Sequence, residues 1–180
     1  MGTSPINMPI ELIKIIFDQT AKFYPKTKIG YAFTEPLIYP DLIESLQYAK
    51  AKNLYTSITT NALTLKQKAK DFCELGLNDV FISLDGPEEI HNQIRGHKSS
   101  FQKAIEGIDE LLKHSQRPNI SIFCVITEWN IGHLKEFADY FKKFPIKQLG
   151  FMHTNFTPDF IVSNHNKIYG DKYPATISNI

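Results

Sequence analysis

Cysteine is nearly absent from this chain: Cys73 and Cys124 are the only two in 180 residues. The first falls in a helical pattern and the second in a strand-like run. That usage reads as a reducing, cytoplasmic setting in which two buried thiols act as small apolar residues, and it argues against a disulfide or metal pair. An excess of one charge is lacking too. Twenty Lys and Arg stand against 19 Asp and Glu, so no net field gathers nucleic acid or an anionic membrane. No apolar run approaches a membrane span, and no charged-then-apolar leader precedes a cleavage site. No glycine-rich phosphate fingerprint follows any strand-like run, which weakens a dinucleotide-binding or P-loop reading. Low-complexity tracts, charge blocks and short repeats are missing as well.

What is present is a regular alternation of helical and strand-like patterns. Pro9 opens a helix with Ile10, Ile13, Ile16 and Phe17 on one face, ending near Tyr24-Pro25. Residues 28–33 read as a short strand, and Pro40-Asp41 starts a helix carrying Leu42, Ile43, Leu46 and Ala49. Residues 55–60 are a β-rich strand. Thr64 and Gln67 then stand at capping-box spacing before a helix that Gly76 stops. A third strand over 80–84 follows, and Ser99 or Ser100 caps a helix bearing Phe101, Ile105, Ile108, Leu111 and Leu112. The pattern continues with a strand over 120–127, a helix marked by Leu134, Phe137, Phe141 and Phe144, and a strand over 149–152. Thr157-Pro158 opens a last helix reaching Tyr169, with Gly170 as its stop. Such alternation predicts parallel strands joined by right-handed crossovers. A closed barrel and an open doubly wound sheet both fit. Because the pattern opens on a helix, a strand that would precede it is expected to be missing.

The residues at which the strands run out are all polar. They are Thr34-Glu35-Pro36, Thr59-Thr60-Asn61, Ser83-Leu84-Asp85-Gly86, Thr127-Glu128 with Asn130, and His153-Thr154-Asn155. In a parallel sheet these ends converge on one rim, where α/β folds hold their ligands. The richest is the stretch from Ser83 to Gly96, which gathers hydroxyl, carboxylate, imidazole and guanidinium groups. Thr60, Asn61 and Asn130 read equally well as caps and turns, and Asp85 as the cap of an Asp-Gly-Pro turn. Glu35 is different: a carboxylate between an apolar strand and Pro36 serves no common cap.

These segments carry a resemblance. Residues 31–40, with Thr34-Glu35-Pro36-Leu37, are similar to the Gly-Gly-Glu-Pro-Leu segment after the second strand of radical S-adenosylmethionine (SAM) enzymes. Ile58-Thr59-Thr60-Asn61-Ala62 resembles their third-strand Thr-Asn-Gly. Ser83-Leu84-Asp85-Gly86, followed by His91-Asn92 and Arg95-Gly96, resembles their fourth strand, above all in the subfamily with a C-terminal auxiliary-cluster (SPASM) extension. The match runs in order from about residue 10 to residue 155.

The resemblance implies a partial (β/α)6 TIM-like barrel with its first strand missing. It divides the chain into a core over residues 1–156 and, over 157–180, a helix and linker leading towards an auxiliary-cluster domain. It also implies an iron–sulfur oxidoreductase, in which a [4Fe–4S] cluster on a CxxxCxxC loop reduces SAM to methionine and a 5′-deoxyadenosyl radical. No such cysteine triplet occurs here. The chain therefore reads as a piece beginning after the cluster loop, inactive by itself; a natural cluster-free relative is the alternative. Toward SAM, the resemblance assigns Glu35 and its backbone to the amino group, Ser83 and Asp85 to the ribose hydroxyls, and Arg95 to the carboxylate as a bidentate fork. Thr60 and Asn61 shape the rim, and Thr127, Asn130 and His153 are adenine or substrate contacts. Phe33, Thr34 and Ala62 stand where the family carries glycine. A peptide is the preferred substrate. Two other readings stay open: a barrel lyase using Glu35, Asp85 and His153 as acid–base groups, and a degenerate barrel that only binds a partner.

Overall fold

The computed structural model describes residues 7–153 and 159–171. Five strands, β1 (Lys28–Tyr31), β2 (Tyr55–Thr60), β3 (Asp79–Ser83), β4 (Asn119–Ile126) and β5 (Gln148–His153), form one sheet in the order β1-β2-β3-β4-β5. Every neighbouring pair is parallel. Strand order follows chain order without a reversal, so there is no switch point and the doubly wound alternative is excluded. Right-handed crossovers that all step in one direction stack their helices on one face. This is the winding of a barrel wall, and the α/β, TIM-like expectation holds.

The helices are α1 (Ile10–Phe23), α2 (Leu42–Ala51), α3 (Leu65–Leu75), α4 (Glu88–Arg95), α5 (Ser100–Leu112), α6 (Leu134–Phe141) and α7 (Asp159–Tyr169). The period of two along each strand separates the faces. Thr56, Ile58 and Thr60 of β2, Val80 and Ile82 of β3, and Ile120, Ile122 and Cys124 of β4 are buried. The apolar members of this set share one core with Leu42, Leu46, Phe72, Ile108, Leu111 and Phe137 from the helices. The alternate residues Ser57, Thr59, Phe81, Ser83, Phe123 and Val125 are half-buried on the opposite, open face. A smaller cluster of Ile13, Phe17, Ala49 and Leu54 seats α1 at the β1 end.

Two local expectations need correction. Thr64 makes no side-chain cap bond, because its backbone (φ −120°, ψ 15°) is not the extended conformation that aims a cap hydroxyl at the first turn. Neither Ser99 nor Ser100 caps α5 with its side chain; Asn92, seven residues before Ser99, takes that task. Within the stretch after Ser83, residues 88–95 form α4, ended by Gly96 at φ +60°. Gly76 does stop α3 in the left-handed conformation, as expected. Thr157, Pro158 and residues 173–176, read as helix start and linker, lie outside the described residues, as do Thr154 and Asn155.

Candidate functional site

The carboxyl ends of the five strands meet at one rim, and the first two are stapled together by Glu35. Beyond β1 the chain turns through Phe33, held at φ +75°. Glu35 Oε1 then accepts from the Thr60 hydroxyl at 2.6 Å and from Leu37 N at 3.2 Å, while Oε2 accepts from Asn61 N at 2.7 Å. Glu35 thus does cap: it closes the short 3-10 turn Pro36–Ile38 and ties it to the end of β2. The expectation that it serves no cap is overturned, because Pro36 supplies a first-turn residue with no N–H and leaves Leu37 N as the donor in reach. Thr60 Oγ1 accepts in turn from Ala62 N at 2.9 Å, and Asn61 Oδ1 from Leu63 N at 3.0 Å. Thr60 and Asn61 therefore build the turn in which Ala62 sits at φ +63°.

The third and fourth strand ends are joined by a buried assembly around Asp85, which is 3% exposed. Its Oδ2 lies 2.6 Å from Arg95 Nε, and its Oδ1 accepts from Val125 N at 3.4 Å. Its backbone is fixed as well. Asp85 N donates to His91 Nδ1 at 3.0 Å, and Asp85 O accepts from Asn130 Nδ2 at 2.7 Å. Asn130, fully buried, also donates to Val125 O and accepts from Thr127 N, both at 2.7 Å. Asp85 therefore faces inward and not the open rim. A buried carboxylate beside a guanidinium is held there by the opposite charge. Asn130 is a staple between two loops.

Ser83, Arg95 and His153 remain accessible near the rim. Ser83 ends β3 on the open face, half-buried. Arg95 keeps about a third of its side chain exposed (35%) and spends only Nε on Asp85. Thr127 follows β4 with its hydroxyl buried and without a partner. His153 ends β5, paired in register with Ile126, and is exposed. The structure thus assembles Glu35 with Thr60 and Asn61, and Asp85 with Arg95, as two separate clusters. His91 and Asn92 carried the sequence motif without a role. The only sequence signal for His91 was its spacing, four before Arg95, which puts both on one face of α4.

Burial dominates the titration of the buried groups. His91 is pulled down to about 4, first by desolvation and also by Arg95, against the opposing pull of Asp85. It is neutral at pH 7, and because Nδ1 accepts from Asp85 N its proton resides on the unpartnered Nε2. Cys124 is pushed up to about 12 by burial and by Asp85, and burial raises Cys73 as well. Both thiols are protonated and buried in separate elements, so they do not fit an iron–sulfur cluster. Among the described residues no group of three or more His, Cys, Asp or Glu is placed to hold a metal. Ser83 and the exposed part of Arg95 are polar groups left accessible near this rim. A cavity of about 700 Å3 opens between α1 and the free edge of β1; Ile13, Phe17, Ile29 and Tyr31 help to line it, and it extends to Thr34 and Glu35 at the rim. No helix among the described residues is long and apolar enough to cross a membrane.

Fold and site together define a class: a singly wound, parallel α/β barrel wall with polar side chains gathered at the carboxyl ends of its strands. The chain belongs to the radical SAM superfamily, which it matches over residues 1–141. Fe-coproporphyrin III synthase of Methanosarcina barkeri is 28% identical over 141 residues, 78% of this chain and 35% of that protein. Native anSMEcpe with bound AdoMet shares the fold with a TM-score of 0.71 at 23% identity, over 84% of this chain and 44% of that one. SuiB of Streptococcus suis bound to S-adenosylmethionine gives 0.73 at 15% identity, over 94% and 42%, and SuiB is also seen bound to its precursor peptide SuiA. The chain spans less than half the length of each of these proteins. Membership makes SAM and a [4Fe–4S] cluster the family's cofactors.

Proposed function

We propose that this chain supplies the SAM-binding wall of a radical SAM enzyme that modifies a peptide, and that its 180 residues by themselves do not cleave SAM. The observation that carries the reading is Arg95 at the rim. It is anchored at Nε by a buried carboxylate, and its terminal nitrogens are left for a ligand. A guanidinium edge recognises a carboxylate bidentately, and SAM bears one. Ser83 is the open hydroxyl for the ribose, and Thr127 offers a buried hydroxyl that lacks a partner. Glu35 is engaged by Thr60 and Asn61, so the amino group would be met chiefly by backbone carbonyls of residues 32–34, with the carboxylate adding its field. Peptide as substrate is supported by the fold shared with SuiB, which is seen bound to its precursor peptide SuiA.

No step through the cluster is assigned to this chain, because its two cysteines do not supply three thiolates. The lyase alternative loses its acid–base set: Glu35 and Asp85 are each committed to internal partners in different clusters. Two measurements test the proposal. Anaerobic reconstitution with iron and sulfide is expected to leave no stoichiometric cluster and to give no 5′-deoxyadenosine; finding both would refute the claim of inactivity. Titration of the 15N-labelled chain with SAM is expected to shift amide signals at Ser83, Arg95 and Thr127. Shifts confined to the amino ends of the strands would move the site elsewhere.

A further inference from the structure

Arg95 is an unusual surface arginine, because the group that holds it is itself immobile. Asp85 is fixed by bonds from three directions: Val125 N on β4, Asn130 Nδ2 in the following loop, and the His91 imidazole on α4. His91 is 1% exposed and Asn130 is fully buried, so neither partner can swing away. Arg95 and His91 lie one turn apart on α4, and both reach the same aspartate. The contact uses Nε at 2.6 Å. That ion pair takes up the Nε edge of the guanidinium, while about a third of the side chain stays exposed. We infer that Asp85 is a positioning residue: it sets Arg95 so that the terminal Nη pair meets the carboxylate of the ligand at the rim. The inference rests on the SAM reading above and assigns within it a role that motif resemblance does not. A flexible arginine loses conformational freedom when it closes on a ligand, whereas one already anchored at Nε has lost most of it beforehand.

A lysine cannot replace this device. Its single ammonium would be drawn onto Asp85 and withdrawn from the rim, so charge alone does not suffice.

The test is an NMR titration of the full 180-residue chain with SAM and, separately, with decarboxylated SAM, which lacks only the carboxylate. Arg95→Gln and Asp85→Asn are each expected to weaken SAM binding roughly tenfold, as expected for loss of a charged hydrogen bond. Neither should change the affinity for decarboxylated SAM. The double variant should be no weaker than Arg95→Gln alone, because Asp85 acts through Arg95. Arg95→Lys leaves Asp85 intact and so guards against a misfolded Asp85 variant; it should bind SAM as poorly as Arg95→Gln. Retained affinity in Arg95→Lys, equal losses for both ligands in Asp85→Asn, or additive losses in the double variant would overturn the inference while leaving SAM binding standing. A wild-type chain that binds neither ligand would overturn the SAM reading, and the inference with it.

Discussion

Among the described residues, three other than glycine hold a left-handed backbone: Phe33, Asn53 and Ala62. Two of them, Phe33 and Ala62, stand where the resemblance places glycine. Left-handed backbone costs an L-residue about 1–2 kcal/mol, and strain of this kind gathers at functional loops. Phe33 is fully exposed, so its ring returns nothing through burial. Phe33→Gly is therefore expected to stabilise the chain by roughly 0.5–1 kcal/mol after the greater freedom of unfolded glycine is counted. Phe33→Val, β-branched in the same turn, should destabilise it. Ala62 is fully buried, and its methyl contributes about 0.8 kcal/mol, so Ala62→Gly should come out close to neutral. Urea unfolding of the three variants checks all three signs.

His91 gives the fold a pH dependence. Its folded pKa, about 4, lies below the ordinary 6.5. Between these values the unfolded chain binds a proton that the folded chain refuses. The stability is full above pH 6.5, is lost progressively as the pH falls, and changes no further below about 4. The whole loss is on the order of 3 kcal/mol. His91→Asn places an oxygen acceptor near Nδ1 without a titrating group. Urea midpoints from pH 7 to 4.5 should fall more steeply for the wild type than for this variant; parallel curves would show that His91 does not set the slope.

At the scale of elements, α4 is the informative one. Its eight residues lie inside the polar motif from Ser83 to Gly96, for which the sequence pattern assigned no helix. Glu88-Glu89 at its start and Arg95 before Gly96 suit a helix's dipole, yet only the fold shows what its faces meet. Asn92 on α4 accepts from Phe101 N at 3.0 Å and from the Ser100 hydroxyl at 2.8 Å, and it donates to Lys98 O at 2.9 Å. It is the N-terminal cap of the next helix, supplied from the previous one. Asn92→Ala is expected to cost about 1–2 kcal/mol in thermal or urea unfolding, and Ser99→Ala less than about 0.5 kcal/mol. Equal effects would return the cap to the serine. The strands and the long helices were legible because their period is local. This cap was not, because its donor and acceptor belong to different elements.

For the whole molecule, the unpaired edge of the sheet is the salient property. β1 bonds only to β2, and no strand among the described residues covers its other side. Exposed Met8, Ile16 and Ile38 border that edge. Bare edges flanked by apolar surface recruit other strands. The isolated chain is expected to self-associate with rising concentration in sedimentation velocity. The pair Ile16→Lys and Ile38→Lys should suppress the association without lowering the melting temperature appreciably, since both residues are already exposed. Undiminished association would locate it at another face.

The sequence by itself determined the alternation, the parallel sheet, the five polar strand ends and the absence of a cysteine triplet. Each follows from composition or from a period of two or 3.6 residues along the chain. Which polar ends remain open was decided only by tertiary structure. Glu35 is consumed by Thr60, 25 residues on, and the Asp85 carbonyl by Asn130, 45 residues on. A buried polar group takes whichever partner the fold delivers, because leaving it without one costs more than any local preference gains. That rule gave Glu35 and Asp85 internal partners, while about a third of the Arg95 side chain stays exposed.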